Sequence, residues 1–296
     1  MCLMKKYITL DKAVGETPLS CAEDYRAKHK ELEGVAMAYA GRLDPMASGK
    51  LLILLGEECK NQTNYHGLDK EYEFSVLLGI GSDTHDVLGR LETPTLSEQP
   101  AASPAVVGLG LAERSGAEED VAGCSGETII NKITNELIGS IELHYPHFSA
   151  KTIQGKPLHM WTLENRLHEI KIPTKKSHVY SLKHTNTETI SRADLVEQAL
   201  LKVNSIPPVT EARKALGNDF RRVDVRADWE NIRNDESLPQ SYTILHFKCI
   251  ASSGTYMRTL ATVIADKLGT YGLAWHIHRT KIGSYEADSD SWTIEY

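Results

Sequence analysis

Short apolar runs and alternating apolar positions predict five strands along the chain. Residues 7–12 read as a short strand, and residues 51–55 form an unbroken apolar run, Leu-Leu-Ile-Leu-Leu. Within residues 72–78 every second side chain is large and apolar, which is the period of a strand with one buried face. Residues 177–183 and 243–250 read as two further strands. The predicted strands are therefore spread over most of the chain.

Helices are predicted between these strands. Residues 19–33 read as a polar helix, and residues 127–139 read as an amphipathic helix with its apolar side chains on one face. Residues 260–268 repeat apolar side chains at helical spacing, and Gly269 follows as a C′ residue that can end the helix. The chain is therefore expected to contain both kinds of element.

Two segments read as insertions between the predicted elements. Residues 92–126 are rich in Ala, Ser, Pro, Gly and Glu, and they carry six acidic residues against one arginine. This composition predicts a loose, acidic and mobile segment. Residues 184–242 form the second insertion, in which Ser191 and Asp194 predict the start of a helix with an apolar face.

Length and composition bound the class of protein. The 296 residues suffice for one large domain or two modest ones. No apolar run approaches the roughly 18–20 residues of a membrane span, and the N-terminus lacks the apolar core of a signal peptide. The five cysteines are scattered without a CxxC pair, so they are expected to be reduced thiols in the cytoplasm, with neither a disulfide framework nor a zinc site.

The charge distribution leaves one basic strip in an acidic chain. The formal net charge of −7 argues against a generic nucleic-acid binder. Residues 145–183, however, carry seven lysines and arginines against two glutamates. This basic strip is either a contact for a polyanion or a solvated surface, and the sequence leaves both readings open.

One aspartate has a constrained backbone setting. Asp44 lies between Gly41, which opens conformations closed to other residues, and Pro45, which fixes φ directly after the acid. Most Asp-Pro pairs simply start a turn. A carboxylate held in such a loop just before a strand is nevertheless a candidate for chemistry, since loops on rigid elements carry function.

Several motifs resemble one family, in the family's order. Residues 41–49, Gly-Arg-Leu-Asp-Pro-Met-Ala-Ser-Gly, with the apolar strand and Gly56-Glu57 that follow, resemble the catalytic motif of the TruB-type tRNA pseudouridine synthases. The further segments that resemble family motifs are 70–79, 81–89, 145–158, 253–261 and 277–283. The resemblance covers roughly residues 7–91, 127–183 and 243–285.

The resemblance implies an α+β fold, the pseudouridine synthase fold, with a mixed, largely antiparallel sheet, flanking helices and a central active-site cleft. Residues 1–285 are expected to form one catalytic domain that carries the insertions at 92–126 and 184–242. Residues 286–296 are expected to be a C-terminal tail, with no PUA domain of the kind that many relatives add there.

The resemblance also implies which residues act. Asp44 matches the carboxylate that attacks the sugar or removes a ribose proton, and Arg258 matches the arginine that pairs with it. Tyr72 matches the tyrosine that stacks on the flipped-out base and takes the C5 proton. Tyr39 stands where the family has a histidine, so one polar ring nitrogen is missing there. The implied substrate-binding residues are Tyr39, Gly41, Lys151, Tyr256 and Ile277.

The implied reaction is the isomerisation of a uridine to pseudouridine, with uridine 55 in the T loop of tRNA as the substrate. It involves no net redox change and no transfer to another molecule, so neither a cofactor nor a metal is expected. The expected partner is the T arm of tRNA. No membrane and no obligate protein partner are implied, and the protein is expected to be a monomer.

Two other readings stay open at the level of sequence. His276 and His278, with His85 and Asp83, could ligate zinc in a metal-dependent hydrolase, although twelve histidines make such pairs common by chance. The second reading is a TruB-like protein that binds RNA without catalysis or that modifies a different RNA. The presence of Asp44 argues against a protein that has lost catalysis.

Overall fold

The computed structural model describes residues 5–93, 126–208 and 218–296. The acidic segment predicted at 92–126 therefore lies outside the described residues, apart from its first two positions and its last. Within the described ranges, no helix is both long and apolar enough to cross a membrane.

The strands and helices have the following bounds. The strands are β1 Tyr7–Lys12, β2 Met37–Tyr39, β3 Ser48–Leu55, β4 Asp69–Leu78, β5 Gly81–Ser82, β6 Leu91–Glu92, β7 Gly139–His144, β8 Thr152–Ile153, β9 Lys156–Pro157, β10 Thr174–Ser191, β11 Ser241–Ala251, β12 Gly272–Glu286 and β13 Ser291–Glu295. The α-helices are α1 Pro18–Lys28, α2 Gly126–Glu136, α3 Leu158–Leu163, α4 Arg192–Ser205, α5 Arg222–Asn234 and α6 Met257–Lys267. Short 3₁₀ helices lie at Lys30–Leu32, Gly56–Tyr65, Leu167–Glu169 and Asn218–Arg221.

One nine-stranded sheet organises the described residues. Seven of its strands follow the order β1-β3-β12-β4-β11-β10-β7, while β2 pairs with β3 and β13 pairs with β12. Every pairing in this sheet is antiparallel except the short parallel contact of β3 with β12, where Ser48 and Gly49 meet His278 and Arg279. The predicted α+β class and the mixed, largely antiparallel sheet are confirmed.

Helix α6 packs against the centre of this sheet. Leu260 and Ile264 from α6 are buried in one apolar core with Phe74 of β4 and Ile277 of β12. Burying each such side chain contributes about 1.5–3 kcal/mol to folding. The contact is close at the start of β12, because a Cβ on Gly272 would lie 2.3 Å from the Cβ of an α6 alanine.

The second predicted insertion is part of the fold's core. Residues 184–191 continue β10, so the strand predicted at 177–183 extends well into it. The predicted helix start is confirmed, since Ser191 Oγ accepts a hydrogen bond from Asp194 N at 3.1 Å. Val203 of α4 and Trp229 of α5 are fully buried in the core that α6 also contacts.

Two helices end earlier than the sequence predicts. Helix α1 ends at Lys28 rather than at residue 33, because His29 leaves the helical conformation with φ −124° and ψ 85°. Helix α2 ends at Glu136 rather than at residue 139, since Gly139 takes a φ of +106° and begins β7. Strand β1 has the predicted bounds, whereas β2, β7, β12 and β13 of the sheet form without having been predicted.

Gly49 permits the close approach of β3 to β12. It has a φ of +101°, a conformation that other residues rarely adopt. A Cβ built there would lie 2.2 Å from the backbone oxygen of Arg279 and 2.8 Å from its nitrogen. Because both obstructing atoms are backbone of a central strand, they cannot turn aside as a side chain could.

Replacing Gly49 with alanine is therefore expected to destabilise the protein. The change adds the cost of an alanine at positive φ to the cost of forcing β3 and β12 apart, a loss of about 2–4 kcal/mol in the free energy of unfolding. Urea unfolding of the purified variant measures it.

Two glycine substitutions serve as controls for this prediction. Gly34 also has a positive φ, of +74°, but no atom lies within 4 Å of the position that an added methyl group would take, so Gly34→Ala tests the backbone cost alone. Gly67 has open space and no positive φ, so Gly67→Ala should be close to neutral. A Gly49→Ala variant no less stable than Gly34→Ala would contradict the close-approach explanation.

Candidate active site

A cleft of about 560 Å³ opens beside the central strands. Five stretches of chain contribute to its wall: residues 41–47, residues 70–72 of β4, residues 145–151, residues 252–258 and residues 277–279 of β12. These stretches are far apart in sequence, and the sheet together with α6 brings them together.

Asp44 and Arg258 form an ion pair in this cleft. Arg258 Nε lies 2.8 Å from Asp44 Oδ2, and the arginine side chain is 7% exposed whereas that of the aspartate is 42% exposed. The Nε–H bond is not aligned with the carboxylate oxygen, so the contact is an ion pair rather than a well-formed hydrogen bond. The other guanidinium nitrogens bind backbone: Nη1 donates to Thr84 O at 2.9 Å, and Nη2 donates to Phe148 O at 3.4 Å.

A second carboxylate shares the same guanidinium. Asp86 Oδ2 lies 3.7 Å from Arg258 Nη1, and the Asp86 side chain is only 5% exposed. Thr84 Oγ1 donates to Asp86 Oδ1 at 2.6 Å, and Leu88 N donates to it at 3.0 Å. Burial raises the pKa of Asp86, while the Arg258 charge and the Thr84 hydrogen bond oppose this rise. Arg258 is therefore shared between an exposed and a buried carboxylate.

The loop that carries Asp44 is held by the chain's first strand and turn. Gly41 takes a φ of +90°, and Pro45 O accepts a hydrogen bond from Gly15 N at 2.9 Å. Lys12 is buried nearby, and its Nζ donates to two backbone oxygens of the same turn. Burial lowers the pKa of Lys12 to about 8, although the negative charges around it, including Asp44, favour the charged form. The loop is therefore fixed from outside its own segment.

Aromatic rings and a lysine form another part of the wall. The rings of Tyr145 and Tyr256 meet edge to face at 5.3 Å, and Lys151 Nζ lies 5.3 Å from the centre of the Tyr145 ring. Tyr72 is half-buried and also lines the cleft. Burial raises the pKa of both Tyr72 and Tyr256. Such a wall can stack on an unpaired nucleotide base.

Comparison with known proteins supports the family resemblance of the motifs. The sequence model for the TruB family pseudouridylate synthase (N terminal domain) matches residues 29–107. The tRNA pseudouridine synthase B of Caldicellulosiruptor saccharolyticus is 25% identical over 285 residues, which is 96% of this chain and 69% of the relative. These matches support a TruB-type pseudouridine synthase, the family that the motifs resemble. The tRNA pseudouridine synthase 4 of Saccharomyces cerevisiae is 27% identical over 269 residues, 82% of this chain and 60% of the relative.

Among solved structures, the crystal structure of a Cbf5-Nop10-Gar1 complex aligns with 94% of this chain and 48% of that chain, at a TM-score of 0.47 and 16% identity. The chain thus spans about two thirds of the length of the two sequence relatives and about half of that solved chain.

Most of the predicted site residues meet in the cleft. Asp44, Tyr72 and Arg258 all line it. Of the predicted substrate-binding residues, those that also line it are Gly41, Lys151, Tyr256 and Ile277.

Tyr39 is not among the residues that line the described cleft. It is the last residue of β2, and its half-buried ring packs against the small apolar cluster formed by β1, α1 and β3. Its backbone oxygen accepts a hydrogen bond from Gln62 Nε2 at 2.8 Å. The structure therefore does not bring this residue together with the other predicted residues.

Several residues of the site were not among those predicted from the sequence. Lys70, Tyr145 and Arg279 line the cleft, and Asp86 binds Arg258. Arg279 lies two positions after Ile277 on β12, so the alternation of a strand could have assigned it to the same face. Asp86 lies in the segment 81–89 that resembles a family motif, but its role could not be assigned from the sequence, because its contact with Arg258 depends on tertiary structure.

The described residues do not support a metal site. Nowhere in the described ranges do three or more His, Cys, Asp or Glu side chains converge as metal ligands would. His278 Nδ1 instead binds Ser48 Oγ at 2.9 Å, and Asp83 forms an ion pair with Arg221 at 2.5 Å. Two of the four residues in the hydrolase hypothesis, His278 and Asp83, thus have other partners.

Removing Arg258 is expected to leave Asp86 as an uncompensated buried charge. We expect Arg258→Ala to lower the free energy of unfolding by about 3–5 kcal/mol. Adding Asp86→Asn should restore more of that stability than adding Asp44→Asn, because Asp44 can reach solvent. Chemical unfolding of the single and the two double variants measures this difference.

The pH dependence gives an independent check on the same prediction. Loss of the Arg258 charge removes an interaction that lowers the Asp86 pKa, so the folded state then binds a proton more readily than the unfolded state. Arg258→Ala should therefore gain stability relative to the parent as the pH falls towards about 5.

In the double variants, equal rescue by Asp44→Asn and Asp86→Asn would show that Asp86 is not the stranded charge.

Proposed function

We propose that this protein is a tRNA pseudouridine synthase that isomerises uridine 55 of the T loop. The observation that carries the proposal is the Asp44 carboxylate, which is paired with a buried arginine in a cleft lined by tyrosines and cations. The names of the sequence relatives support tRNA as the substrate. The position within tRNA rests on the resemblance of the motifs to those of the family.

In the proposed reaction Asp44 supplies the reactive carboxylate. The glycosidic bond between C1′ and N1 of the uridine breaks, the base turns, and C5 bonds to C1′. Asp44 either attacks C1′ or removes a ribose proton to start this sequence. The buried Arg258 attracts and orients the carboxylate, and it keeps its charge because arginine does not lose its proton in proteins.

The base must leave its stack to reach Asp44. Tyr72 is proposed to stack on the flipped base and to accept the C5 proton, while Tyr256 and Ile277 complete the pocket. Gly41 lets the Asp44 loop take its left-handed turn. No cofactor enters this scheme, because the isomerisation has no net redox change.

The RNA backbone is proposed to follow the lysines at the rim of the cleft. Lys151 lines the cleft, and the Lys175 side chain lies against Gly254 of the cleft wall. Neither lysine forms an ion pair with an acid in the part of the chain that the structure describes. Lys156, in contrast, is paired with Glu164 at 2.5 Å. We further propose that residues 1–285 act as one catalytic domain, in the cytoplasm and as a monomer.

Asp44→Asn tests the proposed chemistry. The change keeps the size of the side chain but removes the carboxylate, so turnover should fall by at least about 10³-fold. The tRNA affinity should stay within about threefold, since RNA contacts are spread over the cleft. Tritium release from C5-labelled tRNA and filter binding measure the two quantities.

Arg258→Lys is the companion variant. One ammonium cannot serve two carboxylates and two carbonyl oxygens, so turnover should also fall severely although the charge is kept. Substantial turnover by Asp44→Asn would end the proposed mechanism. Absence of turnover in the parent protein, with tight RNA binding, would favour the alternative of a non-catalytic RNA-binding protein or of a different RNA substrate.

Neutralising the two rim lysines should weaken RNA binding. In the Lys151→Gln, Lys175→Gln double variant, the slope of log affinity against log salt should flatten by about one unit for each phosphate group that the protein no longer binds. Binding isotherms at several salt concentrations measure this slope.

The matched control is Lys156→Gln, which removes the same charge from a lysine already paired with Glu164. Its slope of log affinity against log salt should change by less than half of the change per lysine in the double variant. An unchanged slope in the double variant would move the RNA path away from Lys151 and Lys175.

A further inference from the structure

Arg279 is a buried cation at the wall of the cleft. Its side chain is 1% exposed, and it lines the cavity. Nε donates to Lys50 O at 2.7 Å, and Nη1 donates to Arg42 O at 3.3 Å, which fixes the guanidinium between β3 and the Asp44 loop. Nη2 is buried and has no hydrogen-bond partner among the described residues. An unsatisfied buried donor is costly, so its retention needs an explanation.

Tyr72 lies beside Arg279 in the sheet. The two residues are Cα partners in β4 and β12, and both side chains line the cleft. The groups that act most on the Tyr72 hydroxyl are Arg279, Cys249 from β11 and Asp44 from its loop. Burial raises the pKa of Tyr72, the thiol and the carboxylate raise it further, and the charge of Arg279 lowers it. Arg279 is thus the group among these that favours the phenolate.

Two other cations of the cleft, Arg258 and Lys70, are less suited to stabilising a Tyr72 phenolate. Arg258 is already engaged by two carboxylates. Lys70 Nζ donates to Leu68 O, and burial together with the Arg279 charge lowers the pKa of Lys70 to about 8. Arg279 keeps its charge at any pH at which the protein is folded.

We propose that Arg279 is a positioning residue that acts through Tyr72, holding the phenolate oxygen in place as the acceptor of the C5 proton. The inference rests on the proposed function, in which Tyr72 accepts that proton. In this proposal the deprotonated Tyr72 oxygen is the partner of the otherwise unpaired Arg279 Nη2.

Protons and electrons balance in the proposed transfer. Tyr72 first loses its own proton to solvent. The C5–H bond of the rejoined base then breaks, and the proton goes to the phenolate oxygen. The C5–H electron pair forms the C5–C6 double bond, the N1–C6 double bond opens, and N1 takes a proton from water. Before this step the negative charge lies on the Tyr72 oxygen beside Arg279, so the cation lowers the free energy of the reactive form.

The test places 3-fluorotyrosine at position 72 and follows its fluorine resonance against pH, without RNA. Fluorination lowers the intrinsic pKa of the phenol and brings its titration into a measurable range. In Arg279→Gln the titration should move to higher pH by about 1–3 units, because a nearby cation that favours the phenolate is lost. An unchanged midpoint in folded Arg279→Gln would overturn the proposal. Arg42→Gln, which removes another cleft arginine, is the matched control and should leave the midpoint within about half a unit.

A rescue experiment separates positioning from a structural role. In Arg279→Gln with the natural tyrosine, a rise of about 1–3 units in the Tyr72 pKa lowers the phenolate fraction at neutral pH by about 10- to 1,000-fold. The single-turnover rate should fall by the same factor. Fluorotyrosine at position 72 should recover at least tenfold of the loss, because it restores the phenolate population. A variant that is merely distorted would not recover, and the absence of any rescue would also count against the proposal.

The second variant guards against failure to fold. Arg279→Lys keeps the charge but loses the fork that spans Lys50 and Arg42, and its titration should move up by less than half the glutamine shift. If only the lysine variant folds, any upward shift supports the proposal and no shift overturns it. The titration needs no turnover, so its outcome is separate from that of Asp44→Asn, on which the proposed function depends.

Discussion

The ion pair of Arg258 is the interaction on which the candidate site depends. A guanidinium buried on the first turn of α6 must have its charge and its N–H groups met by other parts of the chain. Three parts of the chain meet this guanidinium: the Asp44 loop, the β5–β6 turn with Thr84 and Asp86, and Phe148 in the loop after β7. The position of the exposed Asp44 carboxylate is thus a consequence of a buried charge that has to be satisfied.

Asp86 is buried whereas Asp44 is exposed, and the two carboxylates therefore have different roles. Asp86 is almost fully buried and is held by a hydroxyl and a backbone amide, so it compensates the arginine within the protein. Asp44 is exposed to the cleft and has no comparable set of donors among the described residues, so it can meet a substrate. One cation thereby serves both the stability of the fold and the orientation of the reactive group.

The sequence predicted the elements better than the contacts between them. Apolar patterning identified β1, β3, β4, β11 and α6. The β3 signal is an unbroken apolar run, whereas β4 and α6 repeat their apolar side chains with the period of the element. Apolar patterning missed β2, whose three half-buried residues are too few to show a period. Motif resemblance identified Asp44, Tyr72 and Arg258. It covered Asp86 and Arg279 as well but assigned them no role, because their contacts arise only when distant segments pack. Tyr39 illustrates the converse, since a motif position alone did not bring its side chain to the cleft.

The place of β12 in the sheet has a consequence for how the chain is made. This strand pairs with both β3 and β4 in the sheet, although β3 and β4 are synthesised much earlier. Until residues 272–286 have left the ribosome, the edge of β4 and the Ser48–Gly49 end of β3 that face β12 lack this partner and can pair with another chain. The nascent protein therefore passes through an aggregation-prone stage whose length is set by the rate of translation, and a chaperone that shields those two edges would act at that stage.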